Sequence, residues 1–185
     1  FDANGDLICS YDKRSKWTTA LGKSKVMLWH KDFIGTYSSG MYAPHKVKLA
    51  VSGCPRNCAE AGIKDVGVIG VESGWEIYIA GNGGIKTEVA QFLCKVKTDA
   101  EVMEYAGAFL QLYREEAWYL DRTVHYASRV GLEYITQKIV EDTENRKALF
   151  ERLLFYLKDA PDPWKDFEKA RVDLRQFIPI QSKDF

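Results

Sequence analysis

Polar and apolar residues alternate most clearly in "HKVKLAVSG", residues 45–53. There Val47, Leu49 and Val51 fall on one side and Lys46 and Lys48 on the other. A period of two marks a strand with one buried face, and it predicts a strand over residues 46–52. "DVGVIGV", residues 65–71, is more continuously apolar and predicts a second strand. "GWEIYIAG", residues 74–81, sets Trp75, Ile77 and Ile79 on one face and predicts a third. The short "ESG", Glu72–Gly74, joins the last two as a β-hairpin. "GNGG", Gly81–Gly84, ends the third strand in a loop that needs unusual backbone angles.

After Gly84 the pattern reads as helical. Thr87 is placed to cap a helix over "TEVAQFLCKV", with Cys94 on its apolar side beside Phe92 and Leu93. Thr98 and Glu101 have the spacing of a capping box, and a long helix comes next with Val102, Ala106, Phe109, Tyr113 and Ala117 on one face. "RTVHYASRVG" predicts a short helix ended by Gly131, continued by "LEYITQKIV". "ENRKALFERLLFYLK" is amphipathic and stops before Pro161; "KDFEKARVD" predicts a last short helix leading into an extended "LRQFIPI". The first 43 residues carry little periodicity beyond an apolar patch at Val26–Trp29. Strands followed by helices predict an α+β fold, a small and mostly antiparallel sheet covered by C-terminal helices. The expected organisation is an N-terminal segment 1–43, an α+β domain 44–160 and a C-terminal extension 161–185.

Composition narrows the function classes. The chain has 185 residues, 46% of them hydrophobic, which is ample for one core. Its 26 basic and 26 acidic residues balance, so charge gives no case for nucleic acid or an anionic membrane as partner. No apolar run approaches the ~20 residues of a membrane span, and no signal-peptide pattern is present. The four cysteines, Cys9, Cys54, Cys58 and Cys94, are not needed as staples in a chain with this core. A reducing cytoplasm is the expected setting, with the cysteines serving metal, redox chemistry or burial.

The candidate chemistry lies in "AVSGCPRNCAEAG", residues 50–62. Pro55 comes directly after Cys54, and proline favours the first helical position, so "CPRNCAEAG" reads as a helix start. Cysteines at i and i+4 share a helix face, and both sulfurs then reach one metal centre beside a positive helix end. Burial of two incidental thiols is the competing reading. The spacing excludes a C-x-x-C redox motif. A structural zinc site needs four ligands; Cys94 reads as core, His45 and His125 have no partner at ligand spacing, and His30 lies in the stretch with no readable pattern. The glutamates Glu115 and Glu116 read as a solvated helix face.

"PHKVKLAVSGCPRNCAEAGIKDVGVIG" followed by "GWEIYIAGNGG" resembles the sirohaem and iron–sulfur region of the nitrite and sulfite reductases, above all the large subunits of assimilatory NAD(P)H nitrite reductases. The resemblance is specific over residues 43–94 and looser towards the tail "DPWKDFEKARVDLRQFIPI"; residues 1–43 do not share it. It implies a [4Fe–4S] cluster held by a C-x5-C pair and a later C-x3-C pair, the second matched by Cys54 and Cys58. Cys58 would bridge the cluster to the sirohaem iron, where nitrite takes up six electrons to become ammonium. Arg56 and Asn57 would hydrogen-bond cluster sulfides or a sirohaem carboxylate. Gly83, within Gly81–Gly84, would turn backbone N–H groups to the cofactor edge, and Lys86 is a weaker candidate there. No catalytic residue is assigned. A C-x5-C pair is absent from this sequence, since residues 10–53 hold no cysteine. NAD(P)H and FAD would sit on modules upstream of it. The implied partners are nitrite, the rest of the large subunit and a small subunit. The alternative is a non-catalytic module of the same fold that has lost the cluster and serves packing or partner binding. A zinc site built from Cys54, Cys58 and histidines is a third, weaker reading.

Overall fold

A computed structural model describes residues 42–158. Four strands form one sheet in the order β1 (Leu49–Ser52), β2 (Val66–Val71), β3 (Gly74–Ile79) and β6 (Gln91–Val96). β1 runs parallel to β2, and the other neighbours are antiparallel. A two-residue ladder, β4 (Asn82–Gly83) with β5 (Thr87–Glu88), stands beside it. The helices come after the sheet: α1 (Asp99–Glu116), α2 (Thr123–Val130), α3 (Leu132–Thr136), a π-helical turn Gln137–Glu141, and α4 (Thr143–Leu157). This is the expected α+β architecture, a small, mostly antiparallel sheet with helices packed on it. Among the described residues no helix is long and apolar enough to cross a membrane.

The period-two reading of β3 holds: Trp75, Ile77 and Ile79 are buried with Val102, Ala106 and Phe109 in the main core, while Glu76 and Tyr78 are half-exposed. β2 is buried on both faces, because a smaller cluster of Ala50, Ala61 and Ile69, edged by Tyr78, covers its other side. Gly67 allows this: a Cβ there would run into the carbonyl of Ala61. The Glu72–Gly74 turn is the expected hairpin, with Val71 opposite Gly74.

Residues 87–96 depart from the helix expected of them, for they form β5 and β6. The reason is a bulge. Ile77 pairs with Cys94 and Tyr78 with Phe92, so Leu93 is an extra residue in β6. Leu93 and Cys94 are therefore buried side by side, and the period of two is broken. Thr87 caps no helix; its hydroxyl donates to the carbonyl of Gly84 at 3.3 Å. The strand ends also shift. β1 starts at Leu49, since the N–H of Lys48 is taken by the Asp65 carboxylate at 2.8 Å, and β3 stops at Ile79.

The long helix begins as expected. Thr98 Oγ1 accepts the N–H of Glu101 at 3.2 Å, and Glu101 Oε2 accepts the N–H of Thr98 at 2.9 Å. Gly131, at φ 87°, ends α2. Asp142 caps α4, accepting the N–H of Asn145 at 2.9 Å. Arg146 seals the π turn: it donates to the carbonyl of Ile139 at 2.9 Å and to Glu104 Oε1 at 2.6 Å. The features read at Val26–Trp29, "KDFEKARVD" and "LRQFIPI" lie outside the described residues.

Asp65 ties the layers together. It is 1% exposed, and its carboxylate accepts from Lys48 N, from the Thr123 hydroxyl and from Arg122 Nη2 at 3.3 Å. Thr123 and Arg122 open α2, so one buried charge fixes a helix start against the β1–β2 seam. Removing one partner of such a pair leaves the other charge buried and uncompensated. The Asp65→Ala protein is expected to lose roughly 3 kcal/mol of stability, read as a lower urea midpoint at unchanged m-value.

Candidate functional site

Cys54 and Cys58 sit in the segment that crosses from β1 to the parallel β2. The expected helix start is not formed there. Asn57 and Glu60 take left-handed backbone angles, at φ 54° and 55°, and these interrupt any helix. The loop folds instead as successive tight turns. Asn57 N donates to Cys54 O at 3.2 Å, Glu60 N to Asn57 O at 2.8 Å, and Ile63 N to Glu60 O at 3.1 Å in the 3-10 turn Ala61–Ile63. Pro55 starts the first turn, a place that suits its fixed φ.

Side chains stitch these turns to the sheet. Ser52, buried at the end of β1, donates from Oγ to Asn57 Oδ1 at 3.2 Å and accepts the N–H of Ala59 at 3.3 Å. The same Oδ1 accepts the N–H of Gly62 at 3.2 Å. Ser52 is absent from the residues that sequence reasoning singles out. Its one signal is a hydroxyl at the buried end of a strand, just before the cysteines.

The two thiols differ in setting: Cys54 is buried, at 7% exposure, and Cys58 is exposed. Arg56 is exposed between them. The glycine-rich segment lies close by, because Ala90 N donates to Gly62 O at 2.8 Å and Gly81 N to Lys64 O at 2.9 Å. Gly83 is exposed and pairs with Thr87 in the small ladder, over the Ile63 side chain. Lys86 is engaged with Glu88 at 2.8 Å.

The other candidates stand apart from this loop. Cys94 lies in the main core on β6, and burial pushes its thiol up to about 12. Glu115 holds Arg152 at 2.8 Å, and Glu116 accepts from Tyr126 at 2.7 Å and Tyr134 at 2.8 Å; the two glutamates anchor helices and form no acid–base pair. His125 is exposed on α2. Among the described residues no three His, Cys, Asp or Glu side chains group to hold a metal ion. A [4Fe–4S] cluster takes four thiolates. The donor chemistry of the loop, two cysteines on a preformed turn, thus fits one half of such a site, and the described residues do not supply the other half.

The C-x3-C loop thus sits on the crossover of a small α+β domain. The model of the nitrite and sulphite reductase 4Fe-4S domain family matches residues 13–147, and the chain belongs to that family. The match takes in residues 13–43, correcting the expectation that residues 1–43 stand outside the family. Among relatives, the chain is 55% identical over 128 residues to the nitrite reductase [NAD(P)H] of Bacillus subtilis, covering 69% of this chain and 16% of that protein. It is 41% identical over 106 residues to the nitrite reductase [NAD(P)H] large subunit of Klebsiella oxytoca, 56% of this chain and 11% of that one. A sulfite reductase of assimilatory type from Nitratidesulfovibrio vulgaris is 30% identical over 97 residues, 52% of this chain and 44% of that one. The chain therefore spans less than a fifth of these nitrite reductases. Membership of the family implies a [4Fe–4S] cluster and sirohaem as cofactors.

Exposure and burial separate the thiols in a measurable way. Cys58 should be alkylated quickly by iodoacetamide in the folded, cofactor-free protein. Cys94 should stay unmodified well above pH 9, since its raised pKa keeps it protonated while the core is intact. Peptide mass spectrometry before and after unfolding reads both.

Proposed function

We propose that this chain is the part of a nitrite reductase that holds one side of a [4Fe–4S] cluster against sirohaem. The whole enzyme would reduce nitrite to ammonium with six electrons drawn from NAD(P)H. The observation that carries the reading is the pair Cys54 and Cys58 in one preformed loop of a 4Fe–4S family domain.

In this reading Cys54, from the buried side, and Cys58, from the exposed side, would each hold the cluster by a thiolate, and Cys58 would also serve sirohaem. The cofactors supply electron transfer and the iron at which nitrite binds. The protein's part is to orient the thiolates and to meet the acidic groups of sirohaem. Arg56 brings a cation between the cysteines. Gly83 offers bare backbone on the neighbouring hairpin, where a side chain would crowd Ile63. Asn57 acts on the loop itself through Oδ1. The companion thiolates, the FAD- and NAD(P)H-binding modules and a small subunit belong to the rest of the enzyme, which works in the cytoplasm.

The test is a visible absorption spectrum with iron and acid-labile sulfide assays, on this chain made together with the rest of the enzyme, without oxygen, in a host that produces sirohaem. Haem and cluster bands are expected, with about four cluster irons per chain, and both should disappear in Cys54→Ser and in Cys58→Ser. A well-folded, colourless, iron-free protein would overturn the cluster reading in favour of a scaffold that serves packing or partner binding.

A further inference from the structure

We propose that Ser52 and Asn57 are positioning residues that set how Cys54 and Cys58 converge on one metal centre. The inference rests on the reading of these cysteines as a ligand pair.

The bonds run in order along the chain. Ser52 is 4% exposed and belongs to β1, so it is fixed to the sheet. Its hydroxyl donates to Asn57 Oδ1 and accepts the N–H of Ala59. Residues 57 and 59 are the two neighbours of Cys58. Asn57 in turn donates its own N–H to the carbonyl of Cys54 at 3.2 Å. Cys58 is thus held on both sides to the same strand end from which Cys54 emerges. Gly62 completes the clamp through Oδ1 at 3.2 Å, which stops the loop from swinging outward with the next turn. One hydroxyl and one amide oxygen close three bonds around the backbone that carries the sulfurs.

Residue type supports both roles. Position 57 has φ 54°, which asparagine tolerates better than most residues and glycine freely. Asn57→Gly therefore removes the amide oxygen without straining the turn. Ser52→Ala removes the hydroxyl and leaves the strand intact, and Ser52→Thr keeps the hydroxyl. Removing a partner that orients a metal ligand typically costs tenfold or more in affinity.

The experiment titrates the whole 185-residue chain with CdCl2 under reducing, oxygen-free conditions, following the thiolate-to-cadmium charge-transfer band. Wild type is expected to bind through both thiols, with Cys58→Ser much weaker. Ser52→Ala and Asn57→Gly should each bind about tenfold more weakly, and Ser52→Thr should match wild type. Amide exchange should speed up at Ala59 in Ser52→Ala and at Gly62 in Asn57→Gly while β2 and β3 stay protected, which shows that the fold persists. Equal cadmium affinity in wild type, Ser52→Ala and Asn57→Gly would overturn the positioning role and leave the ligand pair standing. A wild type that binds no better than Cys58→Ser would overturn the pair reading, and this inference with it.

Discussion

Two adjacent strands that run parallel need a crossover, and between β1 and β2 only residues 53–65 make it. That is near the lower limit for such a connection, which more often contains a full helix. Its shortness governs its form. The chain must reverse twice in a few residues, so it uses consecutive turns, two left-handed residues and a single 3-10 turn. It must also lie flat on the sheet, and Gly67 makes room by carrying no side chain under Ala61. The cysteines ride on this compressed crossover, and their relative placement is a by-product of how it closes.

The end of the crossover is pinned as firmly as its middle. Asp65 is the last residue before β2, and burying its charge is tolerable only because Arg122, Thr123 and the N–H of Lys48 all point at it. The same residue therefore stops β1 from extending towards its N-terminus, starts β2, and docks the beginning of α2. Helices packed behind the sheet are coupled to the end of the cysteine crossover through this carboxylate.

Legibility in the sequence divides along the same physical line. β2, β3 and their hairpin are legible because burial there imposes an unbroken alternation or a fully apolar run, and the capping box at Thr98 because its two bonds need only local geometry. β6 is not legible. Its bulge places Leu93 and Cys94 side by side in the core, and paired apolar residues imitate a helical face. The loop at 54–60 misleads for a related reason. Pro55 fits the first turn of a helix and a tight turn equally well, and what decides between them is the short span to β2, a tertiary fact. The cysteine pair can be found from its spacing and its family resemblance. The residues that hold it in place, Ser52 and Asp65, cannot, because their partners lie 5 to 58 positions away in sequence.

A preformed loop matters most for a site whose ligands come from two separate pieces of chain. Ordering a residue's backbone costs about 1–2 kcal/mol. By that measure, condensing the loop at 54–60 only on metal binding would take roughly 10 kcal/mol from the binding energy. Here the bonds made by Ser52 and Asn57, each contributing about 1 kcal/mol net, together with burial of Cys54, offset part of that cost at folding. The second pair of a C-x5-C and C-x3-C site could then wait in nearly its final shape for thiolates supplied from elsewhere. The asymmetry of the two thiols fits that order of events. Cys54 is buried and settled when the domain folds, while Cys58 is exposed, where the proposed cluster and second cofactor would arrive.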